Sequence, residues 1–390
     1  MTSCIAVINA GSSSIKFAIY DAADESCCLF RGQIEGIGAT PHLRVADGKG
    51  GVVEDRGFQP EGFDHEAATR EVLALANSLM GGTPAAAFGH RVVHGGLRYD
   101  RPVGVTIEVL DDLTRLSPLA PLHQPHNLAP IRAIMRAAPK ALQVACFDTA
   151  FHRSQSNLAQ AFALPRRLAD EGVRRYGFHG LSYEFLVSRL RELAPEASNA
   201  RTIIAHLGNG ASLCAVKDGR SVATTMGFTA LDGLVMGTRC GAIDPGVLLY
   251  LMQEHRMDAA AIEDVIYRQS GLLGISGVSS DMRALRASSD PAAGEAIALF
   301  VYRIVREMGS LVAALGDLDA LVFSGGIGEH DTMTRAEVVA GSRWTGAVLD
   351  PVRNARGELR IGADDSAVSI WAIPTDEERL IARHTAALMG

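Results

Sequence analysis

The chain of 390 residues contains no continuous apolar run of about 18 residues, so we expect no segment of it to cross a membrane. Lysine and arginine are outnumbered by aspartate and glutamate, 37 to 44, and the formal net charge is -7. That charge argues against nucleic acid as a partner, because a protein that binds nucleic acid is expected to have a basic face. An anionic ligand must therefore be held by local cations.

The six cysteines form no CxxC pair and have no histidine partners at zinc-binding spacing. Several lie in apolar, strand-like segments, where a free cysteine behaves as a small hydrophobic residue. The first residues lack the basic and apolar regions of a secretory signal. We therefore expect a cytoplasmic protein in a reducing compartment.

The GxxxxGK[ST] motif of P-loop proteins, the GxGxxG motif of Rossmann folds and the HExxH motif of zinc proteases are all absent. The chain has instead three glycine-rich turns, at residues 9–14, 206–210 and 325–329, each directly after an apolar strand. Backbone N–H groups in such turns can donate to phosphate, although a tight turn also needs small residues for purely structural reasons. Three of them together favour a polyphosphate ligand.

A weak internal repeat spans about half the chain. Predicted strands at residues 5–8 and 15–20 flank the first turn as a hairpin, and a similar string recurs over residues 202–218, with Gly11 aligned to Gly208. Helical patterns at 65–80, 126–137, 180–193 and 292–315 alternate with strands at 142–147, 320–323 and 370–373. This alternation indicates an α/β fold of closely packed, duplicated domains with an interdomain cleft.

Two arginines stand in glycine-framed turns, Arg91 within residues 89–96 and Arg239 within residues 237–241. A planar guanidinium there could grip a carboxylate or phosphate with two parallel hydrogen bonds. Among the histidines, His179 is the strongest functional candidate because it opens a predicted helix.

Asp148 closes a predicted strand, and Glu377 lies in the first turn of the last helix, where residues 374–378 resemble a capping box. Glu377 is either an acid placed at the positive end of a helix dipole or a metal ligand. Together with the Asn9 amide, the two carboxylates form an oxygen set that suits Mg²⁺.

The motifs together resemble the acetate and short-chain acyl kinase family of the actin, sugar-kinase and heat-shock ATPase superfamily. The resemblance covers essentially the whole chain, and its specificity comes from the joint order and spacing of segments 7–16, 89–95, 121–123, 147–152, 176–180, 206–210, 226–229, 236–239, 279–283, 326–329 and 374–378.

The resemblance implies two actin-like ATPase domains of the ribonuclease H-like type, residues 1–149 with 376–390 and residues 150–375, with ATP in the cleft and a homodimer. It implies reversible transfer of the ATP γ-phosphoryl group to acetate, giving acetyl phosphate and ADP, with Mg²⁺ replaceable by Mn²⁺. A propionate or butyrate kinase on the same machinery is the nearest alternative. A nucleotide-driven switch without an acceptor is a further one.

The resemblance also assigns roles to individual residues. Metal binding falls to Asn9 and Glu377, catalysis to Asp148, His179 and Arg239, and acceptor binding to Arg91, Val93, Leu122 and Phe178. Nucleotide binding falls to Ser12, Lys16, His206, Leu207, Gly208, Asn209, Gly210, Asp281, Met282, Arg283, Gly326, Ile327, Gly328, Glu329 and His330. Because the acceptor carboxylate is already ionised at neutral pH, Asp148 is better suited to orienting Mg²⁺, its waters or an arginine than to removing a proton.

Three positions depart from the family pattern. His330 stands where asparagine is usual, Gln124 replaces the asparagine after Pro-Leu-His, and Ala230 replaces a proline that helps to wall the acetate methyl pocket. The last departure leaves open which acyl chain length this protein prefers.

Overall fold

The computed structural model describes residues 3–11, 13–121, 123–195 and 199–390. The chain divides into two compact units. The first comprises Met1–Phe151 and Asp376–Gly390, and the second comprises His152–Thr375. The last helix thus returns to the first unit.

The first unit is built on a mixed sheet of eight strands among its described residues, in the order β5-β4-β3-β2-β1-β6-β8-β7. The strands are β1 (Cys4–Ala10), β2 (Ile15–Asp21), β3 (Cys28–Glu35), β4 (His42–Asp47), β5 (Val52–Gly57), β6 (Ala87–Val92), β7 (Val103–Gly104) and β8 (Leu142–Phe147). Its helices are α1 (His65–Leu79), α2 (Ile107–Arg115), α3 (Gln124–Ala137) and α15 (Glu377–Ala387), with a short 3-10 helix at Ser117–Leu119 and another at Ala150–Ser154 that runs into the second unit.

The second unit contains a five-stranded sheet in the order β11-β10-β9-β12-β13 over its described residues. The strands are β9 (Thr202–Leu207), β10 (Ala211–Lys217), β11 (Arg220–Thr224), β12 (Ala320–Ser324) and β13 (Ser369–Ala372). The helices are α4 (Asn157–Gln160), α5 (Arg166–Asp170), α6 (Gly180–Leu193), α7 (Pro245–Glu254), α8 (Ala259–Arg268), α9 (Gly271–Ser276), α10 (Met282–Ala287), α11 (Pro291–Leu315), α12 (Gly325–His330), α13 (Thr332–Gly341) and α14 (Pro351–Arg356), with a 3-10 helix at Arg343–Thr345.

The two sheets share one topology, which confirms the duplication. In the first unit, β1 is antiparallel to β2 and parallel to β6, and β6 is parallel to β8. In the second unit, β9 is antiparallel to β10 and parallel to β12, and β12 is parallel to β13. The predicted α/β fold class is therefore confirmed, with an N-terminal hairpin and three parallel strands in each copy.

Packing of α15 against the first sheet brings the end of the chain to the central strands. Every residue of β1 is buried. A Cβ on Gly89 of β6 would lie 2.4 Å from Thr385 Oγ1 and 2.5 Å from Ile381 Cγ2, so only glycine lets α15 approach this closely. The first turn of α15, with its acidic residues, is thereby fixed relative to β1, β6 and β8.

Most predicted elements are confirmed within about two residues, as is usual for helix ends. The last helix differs in one detail. Its N-cap is Asp376, whose side chain accepts from Arg379 N, and not the Thr375 that the capping-box pattern indicates. None of the described helices is both long enough and apolar enough to cross a bilayer.

Candidate active site

In the first unit, the predicted polar residues meet where three neighbouring parallel strands end. Asn9 lies at the end of β1, Arg91 lies near the end of β6, and Asp148 follows β8 directly. Carboxyl ends of adjacent parallel strands share one sheet edge, which is where α/β proteins place ligands.

Arg91 and Asp148 form a two-pronged ion pair at this edge. The guanidinium donates from Nε to Asp148 Oδ1 at 3.0 Å and from Nη2 to Oδ2 at 2.6 Å. Its Nη1 donates to Asn9 Oδ1 at 3.3 Å. The Asp148 side chain is 2% exposed and that of Arg91 is 20% exposed, so the carboxylate is covered while the guanidinium still reaches solvent.

The two glutamates that open α15 complete this cluster. Glu377 Oε2 lies 3.8 Å from Arg91 Nε, and Glu378 Oε1 accepts from Asn9 Nδ2 at 3.1 Å. Burial raises the pKa of Glu377 to about 7, and the neighbouring carboxylates of Asp148 and Glu378 add to the rise.

The donor set of this cluster fits a hard divalent cation. Three carboxylates and the Asn9 amide oxygen face Arg91, while Lys16 lies opposite Asn9 in the β1–β2 register, so negative charge is in excess. An added cation would stabilise the ionised form of the buried Glu377. Over the residues described, no three His, Cys, Asp or Glu side chains could hold an ion by themselves. Mg²⁺, which keeps several waters and phosphate oxygens, does not require such a cage.

In the second unit, His179 is held in an unusual backbone conformation at the start of α6. Its φ is 58°, a left-handed value that is uncommon outside glycine and that recurs at functional sites. Its Nδ1 lies 2.8 Å from Ser212 Oγ. Its ring stacks on the ring of His206 with the centroids 4.3 Å apart.

Arg239 lies beside His179, with Gly210 between the two. A Cβ on Gly210 would lie 3.4 Å from His179 Nε2 and 3.7 Å from Arg239 Nη1. Arg239 Nη1 donates to the Ala230 carbonyl at 2.9 Å, which fixes the direction of the guanidinium. The structure thus brings His179, His206, Gly210 and Arg239 together within one unit.

Two of the glycine-rich turns are neighbours because β9 and β12 are parallel. A Cβ on Gly208 would lie 3.9 Å from Gly326 N, so the turns after the two strands meet. Gly325 has a φ of 75°, and a Cβ there would lie 2.7 Å from the Leu207 carbonyl oxygen, so this turn requires glycine. Backbone N–H groups at such strand ends suit phosphate.

The other predicted nucleotide residues lie around these turns in different environments. Gly237 N donates to Asn209 O at 2.9 Å, and a Cβ on Gly237 would lie 3.3 Å from Ser280 O, which places the segment before Asp281 beside the turn at 206–210. Asp281 caps α10, and hydrogen bonds from Arg283 lower its pKa to about 2.

Several of these residues serve the fold. Leu207 and Met282 are buried, Gly328 is a buried residue of α12 that packs against Phe323 and Ala205, and Ile327 is half-buried. The Glu329 carboxylate accepts from Gly325 N at 2.9 Å and from Thr375 N at 3.2 Å, so it braces the turn. His330 is exposed at the end of α12.

Two of the residues predicted to form the acceptor pocket are buried, one in each unit. Val93 is buried in the first unit, where its N–H donates to Asn127 Oδ1 at 2.8 Å. Phe178 is buried in the second unit. Leu122 and the predicted nucleotide ligand Ser12 lie outside the described residues.

Sequence reasoning missed residues that hold these groups in place. Gln124 is fully buried, accepts from His94 N at 3.1 Å and donates to His94 O at 3.1 Å, so it braces the segment after Arg91. The one sequence feature that could have pointed to this role of Gln124 is its position directly after the Pro-Leu-His motif. Ser212 lies in the largely apolar β10 and Tyr183 lies in the amphipathic α6, where neither residue type stands out from its surroundings, so they carried no signal.

Comparison with known proteins identifies the family of this chain. The model of the acetokinase family matches residues 4–383. A protein named acetate kinase from Rhodopseudomonas palustris (strain TIE-1) is 54% identical over 98% of each chain. One of the same name from Methylocella silvestris is 51% identical over 100% of this chain and 98% of its own.

Solved structures lead to the same family. An acetate kinase from Porphyromonas gingivalis superposes with a TM-score of 0.89 at 36% identity, over 100% of both chains. A propionate kinase from Francisella tularensis superposes with a TM-score of 0.91 at 34% identity, over 98% of this chain and 99% of its own. The alternative of a nucleotide-driven switch is thereby set aside. The chain belongs to the acetokinase family and is a kinase, a phosphotransferase whose acceptor is a carboxyl group.

Proposed function

We propose that this protein transfers the γ-phosphoryl group of ATP reversibly to acetate, giving acetyl phosphate and ADP. The observation that carries the proposal is the Arg91–Asp148 pair, which holds a partly exposed guanidinium at the carboxyl ends of the central strands. Family membership over residues 4–383 supports the same reaction.

Acceptor binding is the part of the reaction that we assign to Arg91. A guanidinium has five N–H donors, and the contacts with Asp148 and Asn9 use one each from Nε, Nη1 and Nη2. No hydrogen bond to a described residue uses the second N–H groups of Nη1 and Nη2, and we assign these groups to the acceptor carboxylate. Acetate is ionised at neutral pH and needs no general base, so Asp148 orients Arg91 instead of accepting a proton.

Charge stabilisation during transfer is assigned to His179 and Arg239. Two anions must approach one another in this reaction, and preorganised donors aimed at the transferring group lower that barrier. His179 and Arg239 both lie close to Gly210, which supports a role for both in binding the same phosphoryl group. The turns at 206–210 and 326–330, with Asp281–Arg283, would bind the nucleotide phosphates and nucleoside.

Mg²⁺ binding is assigned to Asn9 and Glu377, with Mn²⁺ as a substitute. When bound, the ion would neutralise and orient the phosphate oxygens of ATP. Asn9 and Glu377 would supply oxygen ligands, while Lys16 would balance phosphate charge beside them. The excess of carboxylates over cations in this cluster supports the assignment.

A second candidate reaction uses propionate as the acceptor. The similarity to the Francisella propionate kinase supports it, as does Ala230, which is smaller than the proline of the family pattern. We retain acetate as the preferred acceptor because the other predicted pocket residues follow that pattern. The division into duplicated ATPase domains at residues 149–150 and 375–376, a homodimer and a cytoplasmic location also belong to this proposal.

The test is trapping of the acyl phosphate with hydroxylamine. ATP, Mg²⁺ and acetate together should give acetyl hydroxamate in the presence of the protein, and omission of any one should abolish it. Propionate and butyrate are assayed in parallel. Arg101→Ala, which alters an exposed arginine that pairs with its neighbour Asp100, serves as the control for Arg91→Ala. Absence of hydroxamate with all three acids would overturn the proposal.

A further inference from the structure

His179 is the first of three hydrogen-bonded side chains in the second unit. Its Nδ1 lies 2.8 Å from Ser212 Oγ, and Ser212 Oγ lies 2.5 Å from the Tyr183 hydroxyl. Ser212 and Tyr183 are both fully buried, so their hydroxyl protons must be used within the protein. The direction of these hydrogen bonds decides which nitrogen of His179 carries the proton.

The acidities of the two hydroxyl groups favour one direction. A phenol is more acidic than an aliphatic alcohol and is the stronger donor, so Tyr183 donates to Ser212 Oγ. Ser212 then turns its own single proton towards His179 Nδ1, which must accept it through its lone pair. In a neutral imidazole, a lone pair on Nδ1 places the proton on Nε2.

We propose that Ser212 is a positioning residue that keeps His179 in the neutral tautomer with its proton on Nε2. Tyr183 fixes the orientation of the Ser212 hydroxyl, and the left-handed backbone at residue 179 brings the ring to it. Nε2 is the ring atom that lies nearest to where a Cβ on Gly210 would be, and Arg239 Nη1 lies beside the same point. The tautomer therefore presents an N–H donor on the side of the ring that faces Arg239.

His206 provides an internal contrast. Its Nδ1 lies 2.8 Å from Ser182 Oγ, and Ser182 donates its proton to Thr375 Oγ1 at 2.9 Å. Ser182 Oγ must therefore accept from His206, which places the proton of His206 on Nδ1. The two stacked rings carry opposite tautomers, each set by a serine.

A functional consequence rests on the proposed reaction. An N–H donor on Nε2 can stabilise a phosphoryl oxygen without a change of protonation, whereas a lone pair there would repel it. Removing the Ser212 hydroxyl should therefore lower kcat by about tenfold to a hundredfold, the range found when the outer hydrogen-bond partner of a metal-ligating histidine is removed. KM for ATP and acetate should change little, because neither is bound by Ser212.

The direct measurement is ¹⁵N NMR of histidine-labelled protein, in which bonded and lone-pair ring nitrogens have distinct shifts. The His179 and His206 signals are assigned from the spectra of His179→Gln and His206→Gln. We expect a protonated Nε2 for His179 and a protonated Nδ1 for His206 in the wild type. Ser212→Ala should convert His179 to a mixture of tautomers and leave His206 unchanged.

Three further variants serve as controls or as an alternative to Ser212→Ala. Ser212→Thr keeps the hydroxyl and should keep the tautomer. Ser342→Ala removes another buried serine hydroxyl of the same unit, one with no hydrogen-bond partner among the described residues, and should change neither the spectrum nor kcat. Tyr183→Phe removes the donor to Ser212 and should also give mixed tautomers, so the question stays decidable if Ser212→Ala does not fold.

A protonated Nδ1 on His179 in the wild type, or an unchanged His179 spectrum in both Ser212→Ala and Tyr183→Phe, would overturn the proposal. The spectra do not depend on activity. If His179→Gln retains full turnover, the proposed role of His179 in the reaction fails, while the spectra still decide the role of Ser212.

Discussion

Arg91 and Asp148 face each other across neighbouring parallel strands, with both carboxylate oxygens of Asp148 accepting from the same edge of the guanidinium. The register of β6 and β8 pairs Arg91 with Cys146, two residues before Asp148. The pair holds the arginine by two bonds in one plane, so its remaining N–H groups point in a fixed direction. An acceptor carboxylate would then meet a rigid donor instead of a mobile side chain.

Asp148→Asn is the sharpest test of how Asp148 acts. The amide keeps the shape but loses the charge and one acceptor, so Arg91 should lose its fixed orientation. We expect turnover to fall by at least about 10²-fold with a higher KM for acetate, in line with the loss of a preorganised charge. The rate should be followed against Mg²⁺ and Mn²⁺ concentration at several pH values.

A general base would behave differently under the same substitution. One ionisation would disappear from the pH–rate profile while the metal dependence stayed unchanged. Asp100→Asn alters an exposed aspartate paired with Arg101 and is the matched control, with near-normal rates expected.

Arg239→Ala should reduce turnover more than it reduces ATP affinity. The Ala230 carbonyl orients the guanidinium, which lies beside Gly210 together with His179. We therefore assign to it the stabilisation of the negative charge that develops on the transferring phosphoryl group. Removal of one such donor typically costs about 2.7–4 kcal/mol in the transition state. Steady-state kcat and the dissociation constant of ADP measure the two effects. Near-normal kcat would refute the assignment.

Ala230→Pro should narrow acceptor specificity. Ala230 is half-buried in a turn, and its carbonyl, which proline retains, is the group that Arg239 contacts. The wider wall of the wild type should tolerate an added methylene, which in an apolar pocket changes discrimination by about 1–3 kcal/mol. The kcat/KM ratio of propionate to acetate should therefore be higher in the wild type than in the variant. Equal ratios would show that residue 230 does not line the pocket.

Stability should fall as the pH is lowered below about 6.5, because buried histidines must then be protonated on unfolding. Burial lowers the pKa of His90, His94 and His152 to about 4 each. Between that value and about 6.5 the unfolded chain binds more protons than the folded one, so stability rises with pH across this window, by up to about 1.4 kcal/mol per pH unit for each group.

Melting temperatures measured over this pH range test whether stability rises with pH and whether the buried histidines cause the rise. His90→Gln should make the dependence shallower, since Gln143 Oε1 can still accept a hydrogen bond from the new side chain. His255→Gln, at an exposed position, should leave it unchanged. Melting that is independent of pH in the wild type would contradict the assignment.

The sequence was most informative where polar residues interrupt apolar strands. Asn9 and Asp148 could be placed at strand ends because β1 and β8 are almost continuous apolar runs. Arg91 was expected in a glycine-framed turn, and this was wrong: it lies in the strand β6, whose sequence AFGHRV is too mixed to give an apolar signal. The antiparallel strands β3 to β5 were not predicted, because their charged and partly exposed residues give no continuous apolar signal.

The sequence could not predict which side chains hydrogen-bond to each other. That Asp148 occupies two donors of Arg91, or that Ser212 contacts His179 from another element, depends on the three-dimensional approach of β8 to β6 and of β10 to α6. Thr375 looked like the last helix cap by motif, but Asp376 takes that place, where it also accepts from Arg31 Nη2 at 2.7 Å. Such long-range contacts leave no local pattern in the chain.

The most direct test of phosphoryl transfer to a carboxylate held by Arg91 is ³¹P NMR of the reaction itself. Incubated with ATP, Mg²⁺ and acetate, the wild-type protein should produce ADP and acetyl phosphate in equal amounts. Arg91→Ala should form acetyl phosphate at least about 10²-fold more slowly, while still binding ADP. Release of inorganic phosphate without an acyl phosphate in the wild type, or unimpaired acetyl phosphate formation by Arg91→Ala, would contradict the account.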